Sequence, residues 1–484
     1  MNPTPSNPKH IYFIGIGGIS VSALAQVALA QGTRVSGSDR RVDLDQNPAL
    51  ARLQRSGAEL FEGHDAANLA EDVDLVVTSA AIPEDNPEAR AARSRGVPVV
   101  SRAELLGTLM AAHKGVKIGV AGTHGKTTTT AMIGVLLQNA GLAPTVFVGG
   151  EAAQIGGNVC VGSDTGPFVA EACEAYDSFL SLHPDIAVLT NVEADHLDHY
   201  GTVTRMLESF RRFVSGLARP DAVLVACLDD PGCCELIDSL DDPPRVAGYG
   251  IESASALSRA RAVNLTRGAE FTWRSPEGAI DINLRVPGRH NVLNALAAAT
   301  VARELGVARE VIATELAGFQ GVGRRQEVLG EVVIDNRGSV IVMDDYAHHP
   351  TEIRATIAAM RAAHPDRRLV VAFQPHLYSR TRDFMDEFAL ALSAADVLIV
   401  TDIYAAREAP IPGVSAADIV SRAAGLRTGG PTPALFLSEK TDLPATLAAL
   451  AAPGDLVLVL GAGDLREQGE ILVRQLRERR RTAR

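Results

Sequence analysis

Lysine is scarce in this chain: Lys9, Lys114, Lys117, Lys126 and Lys440 are five residues among 46 Lys and Arg. A lysine inside a motif is therefore not a by-product of general basicity. A basic surplus is missing too, because the formal net charge is −12. Nucleic-acid-binding domains carry the opposite sign, so no nucleic-acid partner is expected. The arginines between 474 and 484 read as a solvated helix end. Cysteines are few and odd in number, five, with no Cys-x-x-Cys pair. That excludes a disulfide frame or a zinc site and predicts reduced thiols. No run approaches the roughly 18 uninterrupted apolar residues of a membrane span. Residues 1–10 are polar, with no apolar stretch behind a basic one, so no signal peptide is visible. The expectation is a cytoplasmic protein without a membrane span. At 484 residues and 46% hydrophobic content, there is material for roughly two to four domains, each with its own core.

What is present is α/β alternation in three successive segments. The first predicts strands at Ile11 to Gly15, Thr33 to Gly37, Leu75 to Ser79 and Val97 to Val99, separated by Ala/Arg-rich helical stretches. Such alternation implies a parallel sheet. The second begins near Ala112 to Gly115 and predicts strands at Val116 to Ala121, Phe168 to Glu171, Ile186 to Asn191 and Ala222 to Ala226. From Pro231 to Pro287 the pattern is less regular and suggests an antiparallel patch, followed by an Ala-rich helix at Asn291 to Glu304. A third segment starts near Glu327, with strands at Val340 to Asp344, Leu369 to Gln374, Val397 to Asp402 and Leu456 to Leu460.

The strongest motif is Gly122-Thr123-His124-Gly125-Lys126-Thr127-Thr128, directly after an apolar strand and before a helical segment. Glycines let backbone N–H groups face an anion, the helix N-terminus adds partial positive charge, and lysine neutralises outer phosphates. A hydroxyl of Thr127 or Thr128 suits the accompanying magnesium. The full Walker spacing is not met, since Val120 stands where that pattern has its first glycine. A weaker signal is Gly15-Ile16-Gly17-Gly18-Ile19-Ser20, with Asp39 at the end of the next strand. A turn of this kind holds a pyrophosphate, and an acidic residue at that distance accepts ligand hydroxyls. A dehydrogenase and a nucleotide-sugar binder look alike here.

Acidic and imidazole groups gather at other strand ends: Glu171 and Glu174, then Glu193, Asp195, His196, Asp198 and His199. In doubly wound sheets ligands collect outside the carboxyl ends of strands, so these segments should converge on the phosphate loop. Carboxylates there suit magnesium, which prefers oxygen ligands. In the third segment, Asp344-Asp345-Tyr346-Ala347-His348-His349-Pro350-Thr351-Glu352 and Phe373-Gln374-Pro375-His376-Leu377-Tyr378-Ser379-Arg380 also follow apolar strands. Such groups suit a small carboxylate, which arginine pairs in bidentate fashion.

These segments, with Ser36-Gly37-Ser38-Asp39, Pro287-Gly288-Arg289-His290-Asn291 and Gly323-Arg324-Arg325, resemble the ATP-dependent Mur ligases along the whole chain. The resemblance implies a Rossmann-like N-terminal domain over 1–112 that binds a UDP-sugar, a P-loop-type ATPase domain over 113–326, and a Rossmann-like amino-acid domain over 327–484. It implies that ATP activates the lactyl carboxylate of UDP-N-acetylmuramate as an acyl phosphate, and that the amine of L-alanine attacks it, in peptidoglycan synthesis. The implied catalytic set is Lys126, Glu171, His196 and His199. Gly122, Thr123, His124, Gly125, Lys126, Thr127, Thr128, His290, Asn291, Arg325 and Asp345 are implied to bind ATP. Thr127, Glu171 and His196 are implied to hold Mg2+. Gly15, Gly17, Gly18, Ser38 and Asp39 are implied for the UDP-sugar, and Tyr346, His348, His376 and Arg380 for the amino acid. A monomer or homodimer is expected. Some positions depart from the family pattern. Glu171-Ala172-Cys173-Glu174-Ala175-Tyr176 replaces a usual Glu-Ala-Asp-Glu-Ser-Asp, and Leu377 stands where arginine is common.

Overall fold

Runs of Val, Ile, Leu and Ala that are buried on both faces organise the chain into three sheets. The protein is described by a computed structural model covering residues 8–217, 219, 221–335, 338–426 and 433–482. The first sheet has five strands, β1 (His10–Ile14), β2 (Arg34–Asp39), β3 (Glu59–Glu62), β4 (Leu75–Thr78) and β5 (Val99–Ser101), in the order β3-β2-β1-β4-β5. All its neighbours are parallel. Strand order reverses at β1, so the turn after Ile14 sits where such sheets open a ligand crevice. Helices α1 (Ile19–Ala30), α2 (Pro48–Arg55) and α3 (Pro87–Ser94) connect these strands, and α4 (Arg102–Ala112) leads on to the next sheet. Their starts have local causes. Asn47 and Asn86 cap α2 and α3 with proline following, and Ser101 with Glu104 forms a capping box on α4.

The second sheet has ten strands in the order β15-β14-β13-β12-β11-β10-β6-β9-β7-β8. They are β6 (Lys117–Ala121), β7 (Thr145–Ala152), β8 (Gly157–Cys160), β9 (Phe168–Glu171), β10 (Ile186–Leu189), β11 (Val223–Cys227), β12 (Arg245–Gly250), β13 (Ser258–Asn264), β14 (Ala269–Ser275) and β15 (Gly278–Leu284). β6 lies between β10 and β9, parallel to both, so the loop after Ala121 also opens at a switch point. The expected antiparallel patch needs correction. Its first part is a helix, Pro231–Asp238, followed by β12, which runs parallel to β11 and to β13. The helix forms because Asp230 caps it, accepting from Cys233 N at 2.8 Å, with Pro231 behind. β14 and β15 are joined by Pro276 and Glu277 alone, a connection that only antiparallel neighbours allow.

The third sheet comprises β16 (Glu327–Asp335), β17 (Gly338–Asp345), β18 (Arg368–Phe373), β19 (Val397–Thr401), β20 (Ala434–Leu437) and β21 (Asp455–Leu460), ordered β16-β17-β21-β18-β19-β20. β16 is antiparallel to β17, and the rest are parallel. Val371 and Phe373 enter one core while Val370 and Ala372 enter another. That is the period-two division of a sheet covered on both sides. The chain forms two compact units. One is Met1–Arg261 with Thr272–Ile282 and Leu293–Phe319, and the other is Ala262–Phe271 with Asn283–Val292 and Gln320–Arg484. No helix among the described residues is long and apolar enough to cross a membrane.

Candidate active site

In the first unit, the loop after β6 is built around two glycines that no other residue replaces. Gly122 has φ +127°, and a Cβ there would lie 2.1 Å from Thr190 Oγ1. Gly125 has φ +81°, and its Cβ would lie 2.6 Å from Asn294 Oδ1. The loop is stitched to the end of β10. His124 N donates to Asn191 Oδ1 at 2.8 Å, and Thr190 Oγ1 donates to His124 O at 2.6 Å. Thr123 Oγ1 donates to Glu193 O at 3.0 Å and accepts from Glu193 N at 2.9 Å. Helix α5 (Lys126–Asn139) starts immediately after Gly125, which aims its N-terminus across the loop.

Lys126 curls back over this loop. Its Nζ donates to Gly122 O at 2.5 Å and Thr123 O at 2.8 Å, and it lies 2.8 Å from Glu174 Oε2. Burial disfavours the ammonium, but the charges of Glu174 and Glu171 outweigh it and hold Lys126 protonated well above the ordinary lysine range. Thr127 Oγ1 donates to Glu171 Oε1 at 3.1 Å, and the other carboxylate oxygen of Glu171 accepts from Gly149 N at 2.8 Å. Thr127 and Glu171 thus present hard oxygen donors side by side at a phosphate loop, the donor set magnesium prefers. Burial and then the Glu174 charge raise the Cys173 thiol. The cysteine between the two glutamates is therefore neutral and adds no charge where the family pattern has a carboxylate.

His196 has a left-handed backbone (φ +52°), and its Nε2 lies 3.6 Å from Glu174 Oε1. His199 Nε2 lies 3.5 Å from Asp177 Oδ2, and its ring packs on Tyr176 and Tyr200 at centroid distances of 5.1 and 4.8 Å. Asp177 is itself gripped by Ser209 Oγ, and Tyr200 Oη donates to Glu174 O at 2.6 Å. Glu174 lies outside the implied catalytic set, although the sequence places it among the carboxylates expected at the phosphate loop. It faces both Lys126 and His196, and its signal was the Glu171/Glu174 pair at the end of one strand. Thr128 lies buried in the first turn of α5.

The turn after β1 is a different object. Gly15 N and Ile16 N donate to Ser38 O at 2.8 and 3.0 Å, Gly17 N donates to Asp39 Oδ2 at 2.9 Å, and Gly18 N donates to Gly15 O at 3.1 Å. A Cβ on Gly17 would meet Asp39 Oδ2 at 2.9 Å. Ser38 lies beneath the turn. Its hydroxyl donates to the buried Glu88 Oε2 at 2.7 Å and pairs with His64 Nδ1 at 2.9 Å. Glu88 also accepts from Tyr12 Oη at 2.7 Å.

In the second unit, the end of β17 carries a row of rings. Tyr346 is flanked by the guanidinium carbons of Arg324 and Arg325 at 4.9 and 5.2 Å from its centroid. Tyr346 meets His348 at 5.3 Å, His348 meets His376 at 6.0 Å, and His376 stacks on Tyr404 at 5.6 Å. The buried Arg380 approaches His376 Nδ1 at 3.4 Å. All four residues expected at the amino-acid site are thus joined by contact. Tyr404 and Arg324 were missed. Tyr404 lies just beyond the end of β19, where ligand groups collect in such sheets. Asp345 Oδ1 accepts from Ala347 N at 2.8 Å and Oδ2 from Gln326 N at 3.0 Å. Burial, partly offset by the Arg325 charge, pushes its carboxyl up to about 6. His290 lies 3.2 Å from Gln326 Nε2, and burial pushes its imidazole down to about 4, with Arg325 adding to the shift. Asn291 Nδ2 donates to Pro287 O at 2.8 Å. Arg325 Nη1 reaches Glu352 Oε1 at 3.5 Å.

Two glycine turns at switch points of parallel sheets, one of them lined by carboxylates, and a third α/β sheet define a class. Models of the Mur ligase family match consecutive stretches: its catalytic domain at 10–114, its middle domain at 120–302 and its glutamate ligase domain at 324–463. The chain belongs to the Mur ligase family. It is 46% identical over 467 residues to UDP-N-acetylmuramate–L-alanine ligase of Sorangium cellulosum, covering 94% of each chain. It is 44% identical over 480 residues to the protein of that name from Trichlorobacter lovleyi, covering 97% and 99%. Among solved structures, UDP-N-acetylmuramate-alanine ligase of Thermotoga maritima superposes with a TM-score of 0.79 at 29% identity, covering 97% and 99%.

Proposed function

We propose that this chain joins L-alanine to the lactyl carboxylate of UDP-N-acetylmuramate at the expense of ATP, a step of peptidoglycan precursor synthesis in the cytoplasm. The observation that carries the reading is the convergence on one loop of Lys126, Glu174, Thr127 and Glu171. The relatives named above support the choice of substrates. A carboxylate is a poor acylating agent, so the γ-phosphoryl group is first transferred to it. The alanine amine then attacks the carbonyl carbon, and the tetrahedral intermediate expels phosphate. Catalysis of this kind is mainly positioning and charge neutralisation.

In this reading Gly122 to Thr128 cradle the phosphates, and Lys126 neutralises the group in transfer. Thr127, Glu171 and His196 would hold Mg2+, which would spread the phosphate charge. Glu174 keeps Lys126 charged and in place. His199, 3.5 Å from Asp177, completes the catalytic set. The turn of Gly15, Gly17 and Gly18 with Asp39 takes the UDP portion, and Ser38 sets the turn from below through its carbonyl. In the second unit, His290, Asn291, Arg325 and Asp345 serve the nucleotide, while Tyr346, His348, His376 and Arg380 serve the amino acid. The division into 1–112, 113–326 and 327–484 is supported by one sheet falling in each interval. A monomer or homodimer meets these needs.

The test follows phosphate release from ATP, magnesium and UDP-N-acetylmuramate on adding L-alanine, glycine, L-serine or a stem tripeptide. Release with L-alanine is expected. No release with any acceptor would sink the ligase reading, and release with the tripeptide alone would reassign the acceptor.

A further inference from the structure

Between the two turns of the first unit runs a set of polar contacts joined through the backbone of β7, in the hairpin of β7 and β8. Asn158, on β8, is fully buried, and all four of its side-chain hydrogen-bonding positions are used. Its Nδ2 donates to Ile19 O at 2.5 Å and to Ser22 Oγ at 2.9 Å. Its Oδ1 accepts from Gln26 Nε2 and from Arg52 Nη2, each at 3.1 Å. Ile19 and Ser22 form the first turn of α1, which starts directly after Gly18. Arg52 lies on α2, whose capping residue Asn47 also donates to Gly17 O at 3.1 Å. Helix α1, which leaves the Gly15 turn, and helix α2, whose cap touches that turn, are thus gripped by one hairpin.

The other end of that hairpin reaches the phosphate loop. Arg52 Nη2 donates to Glu151 Oε1 at 2.6 Å on β7. Two residues earlier, Gly149 N holds Glu171 Oε2, and Glu171 holds Thr127. A Cβ at Gly149 would lie 2.4 Å from that carboxylate and would displace it. At Gly157 (φ +139°) a Cβ would lie 2.8 Å from the Arg52 guanidinium. The β7–β8 pairing is interrupted between Phe147 and Ala152. The stretch holding Gly149 and Glu151 is therefore fixed by Glu171 and Arg52 instead of by the ladder.

We infer that this hairpin couples the two ligand sites: occupation of the Gly15 turn sets the position of Glu171 at the phosphate loop, with Asn158, Arg52 and Glu151 as positioning residues. The inference rests on the ligand assignments proposed above. It predicts reciprocal thermodynamic coupling, in which each ligand tightens the other by one shared factor.

Calorimetric titration of the full chain with a non-hydrolysable ATP analogue and magnesium, with and without UDP-N-acetylmuramate, measures that factor without turnover. The wild type is expected to show about 5- to 100-fold tightening. Asn158→Ala should lower the factor at least about threefold while leaving each ligand's separate affinity within about twofold. Because Asn158 is buried, Glu151→Gln on the partly exposed β7 position is the companion variant and should act in the same direction. A wild-type factor of one would overturn the inference, as would variants that weaken both ligands separately and keep the full factor. A wild type that turns over alanine with a factor of one would sink the coupling and leave the ligase reading standing. A wild type that does not bind UDP-N-acetylmuramate would sink both.

Discussion

The turns after β1 and after β6 use one backbone device, a parallel strand at a switch point running through glycines into a helix, yet they are chemically opposite. The loop after β6 concentrates charge. Lys126 lies 2.8 Å from Glu174, and Glu171 faces Thr127. The turn after β1 holds no cation among Gly15 to Ser20, and its contacts are backbone N–H groups facing Ser38 O and Asp39 Oδ2. One loop gathers an ammonium and two carboxylates, and the other spends its N–H groups on the protein's own oxygens. The lysine carried by the loop itself, together with Glu171 and Glu174 beside it, makes the difference.

Removing the charge should break this contrast most severely. Lys126→Ala is expected to cut kcat by about 10²–10³-fold or more, the scale for losing a preorganised charge-stabilising group, with the circular dichroism spectrum unchanged. Retained activity would show that the loop is not catalytic. Next comes backbone strain. Gly122→Ala combines a left-handed φ with a Cβ clash on Thr190 and should lower stability by about 2–4 kcal/mol. Gly17→Ala, whose clash is with one side-chain oxygen, should cost about 1 kcal/mol. Urea midpoints compare the two, and equal losses would mean the turns are equally strained.

A smaller effect separates the ligands. Asp39→Ala should raise KM for UDP-N-acetylmuramate about tenfold, about 1.4 kcal/mol, and leave KM for ATP within twofold. A rise in both would merge the two sites functionally. The smallest effect lies outside both turns. Asp345 has its folded pKa raised from 3.8 to about 6, so its contribution to stability is present below about pH 4 and is lost as pH rises through 6. Asp345→Asn should therefore change the pH slope of stability by at most about one proton between pH 4 and 6. His290, lowered from 6.5 to about 4, acts oppositely. The unfolded chain takes up its proton first, and stability falls as pH drops from 6.5 toward 4. Slopes from urea melts of Asp345→Asn and His290→Gln should shift in opposite directions, and identical slopes would show that neither group titrates there.

Most of the architecture was legible because it is local. Apolar runs followed by Gly-rich or acidic stretches mark strands that end at a site, and Phe168–Glu171 matches the expected strand in full. Val97 to Val99 was displaced to Val99–Ser101, where Ser101 begins the capping box of α4. The helix at Pro231–Asp238 was missed because its cap is a single aspartate that also accepts from Val192 N on a distant segment. Glu174 was visible as a residue but not as the partner of Lys126, since that pairing joins residues 48 positions apart.

The sequence by itself determined the three α/β segments, the lysine-bearing loop, the glycine turn and the family. Each is written in contiguous residues with a strict spacing. Tertiary structure alone decided which carboxylate faces which cation, how Tyr404 joins the ring of His376, and how Asn158 holds α1 and α2 together. Those contacts join residues tens to more than a hundred positions apart, and packing and hydrogen-bond satisfaction select them only after the strands have taken their order in the sheets.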